Sequence, residues 1–155
     1  MTKLKAWAKD NLGLVFVAAV LAAFLFLVFL QDSSAADNPS YRISGGFDVA
    51  HSFGTPFVLG KAEAARFLYS QKTGFGVGAV YSVSRRGWDA GVGGVWLEKT
   101  SNINGTNLNF LLEAGYTWDR YSLRITHISN GKKLGIGPED KPNDGWNLVT
   151  FGINF

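Results

Sequence analysis

The feature that most constrains this chain is an alternation with period two that runs through residues 41–155. Successive side chains of a strand point to opposite faces, so a sustained alternation separates two surfaces that meet different surroundings. It predicts eight strands, at about 41–50, 55–60, 63–71, 74–84, 87–97, 107–117, 120–129 and 146–155, the second being the shortest and weakest. One face is apolar: Tyr41, Ile43 and Phe47, then Phe67 and Tyr69, Phe75, Val77 and Tyr81, Trp88 and Trp96, Leu108, Phe110 and Leu112, Leu123 and Ile125, Phe151, Ile153 and Phe155. The opposite face carries the glycines and serines and the charges that fall inside these strands beyond their first residues, namely Arg42, Asp48, Arg66, Asp89, Glu113 and Arg124.

A soluble sandwich would also alternate, with its charges outside. Two features favour the inverse arrangement. The six charges are three cations and three anions, able to pair inside a narrow barrel. The apolar face is aromatic near the strand ends (Tyr41, Tyr69, Trp88, Trp96, Tyr116, Tyr121), as in the girdles of outer-membrane barrels. A lysine or arginine on a lipid face costs about 2–4 kcal/mol at mid-membrane, so its absence there is expected. Small residues on the charged face, Gly76, Gly78, Gly91 and Gly93, suit the crowded interior of an eight-stranded closure. The expected fold is therefore all-β, an eight-stranded antiparallel outer-membrane β-barrel spanning residues 37–155.

Residues 1–36 are a separate object. Lys3, Lys5 and Lys9 precede a stretch, 12–30, without a charged or strongly polar side chain, and Ser34-Ala35-Ala36 offers a small-x-small cleavage site. This is the pattern of a secretory signal peptide. The apolar core exceeds the usual length of about 7–15 residues and as a helix would nearly span a bilayer of roughly 30 Å, so an uncleaved signal anchor is the rival. Either way an N-terminal hydrophobic export helix precedes the barrel and directs the chain out of the cytoplasm. Loop lengths give a direction: 130–145 and 98–106 are long, whereas Trp118-Asp119 and Arg85-Arg86 are short. Outer-membrane barrels have long external loops and short periplasmic turns, which places 130–145 outside and brings strand seven upward to it. The last strand ends on Phe155, similar to the assembly signal of bacterial outer-membrane barrels.

Composition excludes several classes. Without cysteine there is no disulfide framework and no thiolate metal site. Two histidines argue against a histidine metal site. A net charge of +3 without a basic run gives no nucleic-acid footprint. No cofactor is implied.

Polar residues on the apolar face mark the candidate site. His127 and Ser129 lie two apart on strand seven and so share a side, continuing Tyr121, Leu123 and Ile125. The plain alternative is that this strand end has reached the headgroup zone, where polar groups are solvated. A serine hydroxyl is a weak nucleophile until a neighbouring base takes its proton, and an i, i+2 pair on a strand brings imidazole and hydroxyl together. His51 falls in a loop remote in sequence, with no partner visible there.

The run Arg124-Ile125-Thr126-His127-Ile128-Ser129-Asn130-Gly131, followed by Pro142-Asn143-Asp144-Gly145 and a final strand, resembles the lipid A 3-O-deacylase family, the PagL type. The resemblance covers residues 120–155; upstream it is one of architecture. It implies an eight-stranded outer-membrane barrel that hydrolyses the ester-linked acyl chain at the 3-position of lipid A, with lipopolysaccharide as its partner. It makes Ser129 the nucleophile, His127 the general base, and Asn130, Gly131 and Asn143 candidates for the oxyanion hole. Lys132 and Lys133 are candidates for contact with lipid A phosphates, or are solvated loop lysines. One departure matters. The family places a glutamate two residues after the Asn-Asp-Gly turn, and here that position is Asn147. Asparagine can accept from imidazole and fix its tautomer, as in Cys-His-Asn proteases, but cannot stabilise imidazolium by charge. A slower enzyme, an acid supplied by Asp144, Asp140 or Glu139, and a non-catalytic barrel are the three consequences to separate. The loop 132–141 is also longer than expected for the family.

Overall fold

The computed structural model describes residues 41–51 and 55–155; the expected export helix and its cleavage site lie outside them. The chain forms strands β1 (Tyr41–Asp48), β2 (Pro56–Ala62), β3 (Ala65–Ser70), β4 (Gly74–Arg85), β5 (Trp88–Leu97), β6 (Leu108–Trp118), β7 (Tyr121–Ser129) and β8 (Trp146–Asn154). Each pairs antiparallel with its sequence neighbour, and β8 returns to β1 to close an eight-stranded barrel. Closure removes the free edges that a sheet with so apolar a face would otherwise expose.

The turns explain where sequence boundaries shift. β4 and β5 join at Arg86-Gly87, one residue beyond the expected Arg85-Arg86, and both turn residues have positive φ (49° and 84°). A type I′ hairpin needs positive φ at both centres, and glycine supplies the second without strain. β6 and β7 join at Asp119-Arg120, again one residue beyond the expected turn, with positive φ (51°) at Asp119 and not at Arg120. The second strand is a full member of the barrel, paired with β1 from Pro56 to Ala62. All the tight two-residue turns lie at one end. The other end carries residues 49–51, 55, 71–73, 98–107 and 130–145. Because β3 stops at the pair Ala65↔Ala79, the lower part of the β4–β5 hairpin runs past β2–β3. A cleft of about 570 Å³ against Lys61, Ala64, Val80 and Val92 occupies that notch.

The two faces separate as the alternation requires. Outside are Ile43, Tyr69, Tyr81, Trp88, Leu108, Leu123, Phe151 and other large apolar side chains, all exposed. At the turn end Trp88, Tyr116, Trp118, Tyr121 and Phe151 touch in sequence, with ring centroids 5.0–6.5 Å apart, and form a continuous band. At the loop end Tyr69, Phe75 and Trp96 form its counterpart.

The inside has two layers. Toward the turn end Arg66 grips Glu113 through Nε (3.1 and 3.2 Å) and Nη2 (2.5 Å). Arg124 forms a two-pronged pair with Asp89 and stands 3.9 Å from Glu113. Bidentate pairing of this kind offsets much of the desolvation of buried charges. Arg42 and Lys61 add two more buried cations; Lys61 lies one residue past the expected end of the second strand. Above this layer Phe57, Leu68, Val95, Leu97, Leu111, Ile128, Trp146 and Leu148 pack into an apolar plug. Inward glycines make room for both layers: a Cβ on Gly76 would stand 2.8 Å from Leu68 Cγ, and one on Gly91 2.5 Å from Val80 Cγ1.

Candidate functional site

β7 rises through the wall with Ser122, Arg124, Thr126 and Ile128 turned inward and Tyr121, Leu123, Ile125, His127 and Ser129 outward. The outward run starts exposed and ends buried, with His127 at 3% and Ser129 at 7% exposure. The cover comes from neighbouring strands and from the 130–145 loop. His127 is paired with Leu112 on one side and Asn147 on the other. Ser129 is paired with Phe110. Gly131 lies on the Phe110 ring, where a Cβ would come within 2.7 Å of it.

The register fixes the key contact. Because His127 and Asn147 are directly opposed and both point outward, their side chains meet, with Nδ1 2.8 Å from Asn147 Oδ1. An amide oxygen accepts only, so Nδ1 is the protonated nitrogen and Nε2 the unprotonated one. Gly145, at φ 72°, folds against the same ring: a Cβ there would stand 2.7 Å from Cε1 and 3.4 Å from Nε2. Only glycine fits. Among the described residues no hydrogen bond engages Ser129 Oγ. The side chain stands one step further along the same side, and such contacts commonly close only in the substrate complex.

The loop residues divide by what they already do. Asn130 gives its main-chain N–H to Asn143 Oδ1 (3.0 Å) and its side-chain amide to Pro142 O (3.1 Å), and its Oδ1 accepts from Lys132 N (3.1 Å). It holds the loop shut upon itself. Asn143 spends its oxygen on Asn130, and among the described residues its Nδ2 makes no hydrogen bond. Of the three expected oxyanion donors, Asn143 Nδ2 and the Gly131 N–H are the ones that make no hydrogen bond among the described residues. Gly131 takes φ 76° and caps a short 3-10 turn, Lys132–Leu134. Lys132 Nζ donates to Lys141 O, whereas Lys133 is exposed and within electrostatic range of His127. Asp144, Asp140 and Glu139 are exposed on the loop, and it is Asn147 that occupies Nδ1.

Two sets of residues escaped sequence reasoning. Ile103, Asn104 and Gly105, in the loop between β5 and β6, brace the Asn143 turn: Asp144 N donates to Ile103 O, Gly105 N to Pro142 O, and Asn104 bridges Asn143. No local signal marks that contact. His51, by contrast, is not isolated. Its Nδ1 is 3.2 Å from Asp48 Oδ2, and its ring meets Trp146 edge-on at 6.1 Å. The spacing Asp48-x-x-His51 was the available clue. Among the described residues no group of three His, Cys, Asp or Glu side chains is placed to hold a metal ion. No family model, curated protein or solved structure matches this chain.

Proposed function

We propose that this protein is an outer-membrane serine esterase that removes the ester-linked 3-acyl chain of lipid A from lipopolysaccharide in the outer leaflet. The observation that carries the proposal is the 2.8 Å contact of His127 Nδ1 with Asn147 Oδ1, on the apolar outer side of the wall beside Ser129. Imidazole fixed in one tautomer, with a serine hydroxyl next along the strand, is a nucleophile–base–orienter set. Its position supports the substrate class. An apolar wall with aromatic bands at both ends suits a bilayer, and the loop end, taken as external, puts the set where an outer-leaflet acyl ester lies.

In the proposed reaction Ser129 Oγ attacks the acyl carbonyl as His127 Nε2 takes its proton. The oxyanion meets Asn143 Nδ2 and the Gly131 N–H. Collapse breaks the C–O bond to the sugar, and His127 returns the proton to the leaving oxygen. Water then repeats the sequence on the acyl-serine and frees the fatty acid. Lys132 and Lys133, on the adjoining loop, are the candidates for contact with the phosphates of lipid A. The test is lipid A mass spectrometry after expression in a Gram-negative host. The expected result is loss of one 3-hydroxyacyl chain, abolished by Ser129→Ala and by His127→Ala with the barrel still folded. Undiminished deacylation by Ser129→Ala overturns the assignment.

A second reading, a non-catalytic barrel, is favoured by Asn147 itself, which brings no charge to imidazolium. Asn147→Glu separates the two: raised activity means a real but weakened site, and inactivity of both forms favours the second.

A further inference from the structure

The carboxylate nearest in bonding to the candidate site is on the other side of the wall. Asp48 ends β1 on its inward face, opposite Leu148, and is fully buried at the edge of the apolar plug. A carboxylate placed there is tolerated only with its oxygens satisfied. Oδ1 accepts from Asn147 N (3.0 Å) and Ala50 N (3.3 Å). Oδ2 accepts from His51 N (3.0 Å) and lies 3.2 Å from His51 Nδ1.

The Asn147 contact is the telling one. The Asn147 N–H, which in a regular ladder would meet a main-chain carbonyl, is taken instead by the Asp48 side chain. The Asn147 carbonyl is held by the next residue, accepting from Val49 N at 2.9 Å. Both main-chain groups of Asn147 are therefore fixed from residues 48–49, while its side chain fixes His127. The result is a continuous hydrogen-bonded chain, His51–Asp48–Asn147–His127, from the interior through the wall to the outer face. His51 is clamped in turn against Trp146, which packs on Phe57 at 5.4 Å.

We propose that Asp48 is a positioning residue for His127, acting through the main chain of Asn147, and that His51 holds the second Asp48 oxygen in place. The proposal rests on the esterase assignment above for its kinetic consequence, but not for its structural one. An asparagine amide holds imidazole less firmly than a carboxylate, so fixing the Asn147 backbone is the remaining way to make the His127 contact rigid.

The test uses the full barrel and purified lipopolysaccharide in detergent micelles, together with imidazole ¹⁵N spectra. With two histidines in the chain, a His51 variant leaves His127 as the single imidazole signal. Asp48→Ala is expected to lower kcat about tenfold or more with KM within about twofold, since misplacing a catalytic group costs rate rather than affinity. It is also expected to shift the His127 Nδ1 resonance. Asp48→Asn keeps an acceptor for the Asn147 N–H and guards against misfolding; its kcat falls less, with a shift in the same direction. His51→Ala lowers kcat, and His51→Gln, whose amide can donate to Asp48, restores part of it. An unmoved His127 spectrum in both Asp48 variants overturns the proposal. If the parent shows no Ser129-dependent hydrolysis, the esterase assignment fails alone, and the spectra still decide whether Asp48 holds His127.

Discussion

Gly145→Ala tests the site where its geometry is tightest. Two effects add. At φ 72° an alanine is in the left-handed region, which costs about 1–2 kcal/mol for a residue with a Cβ. The new Cβ would also stand 2.7 Å from His127 Cε1, against an ordinary contact of 3.4 Å or more, so ring and turn must part by about 0.7 Å. That displacement is enough to stretch the 2.8 Å contact with Asn147 to the edge of hydrogen-bonding range. A misplacement near 1 Å costs up to about 10²-fold in rate, so the expected loss in kcat is about 10- to 100-fold. Gly135→Ala is the control, because Gly135 has the same φ of 72° but open space around its Cβ position. It carries the backbone strain without the contact. The assay is initial-rate deacylation of lipopolysaccharide in micelles, with heat-modifiable gel mobility to confirm folding. Equal rates for folded Gly145→Ala and Gly135→Ala would refute the placement of His127 as the working base.

Other outcomes follow from the interior and the loop. Glu113→Leu leaves Arg66 and Arg124 without their shared anion and should destabilise the barrel by about 3–5 kcal/mol in urea unfolding, while Arg66→Met with Glu113→Leu recovers most of that loss. A single variant within 1 kcal/mol of the parent would mean that the pair is not energetically coupled. Asn143→Asp keeps the acceptor for the Asn130 N–H but removes the free Nδ2 donor, so kcat should fall by about 10²–10³ with the loop intact. Leu134 and Ile136 are exposed apolar side chains on the 130–145 loop; replacing both with aspartate should slow turnover of lipopolysaccharide in vesicles and leave it unchanged in micelles.

Much of the barrel was legible because its two faces obey opposite rules. The charged residues Arg42, Asp48, Arg66, Asp89, Glu113 and Arg124 are all buried, and the aromatic residues opposite them are exposed. Period-two patterning reports this directly. It was weakest at β2, where Pro56 and Gly60 interrupt the pattern and the expected strand stops at residue 60, short of Lys61. The register with β1 and β3 extends that strand, and Lys61 becomes an interior cation. The His127–Asn147 opposition was foreseeable once β7 and β8 were taken as neighbours facing the same way. The partner of His51 was not, because Asp48 had been accounted for as one member of an interior charge set. Its position at the very end of β1, opposite Leu148 of β8, is a property of closure between the first and last strands. The bracing of Asn143 by Asn104 is of the same kind, a loop-to-loop contact without periodic trace.

The location of the candidate site on the outside follows from the size of the barrel. Eight strands enclose an interior that side chains just fill, and here ion pairs fill one end while Trp146, Phe57 and their neighbours fill the other. A reacting group has no place inside. On an outer wall that faces hydrocarbon, unsatisfied polar groups are costly, so a histidine and a serine are tolerable only at the rim, and only with cover and partners. β7 meets both conditions in its last turn of alternation: His127 is bonded to Asn147, and the 130–145 loop folds back over the strand end from Asn130 through Gly145. If Ser129 is the nucleophile proposed above, its substrate must reach it sideways, along the plane of the wall rather than through the barrel. The lipid ester of the proposed reaction would meet that requirement, because an acyl chain in the same layer could lie against the exposed apolar side chains below, Ile125 and Leu123.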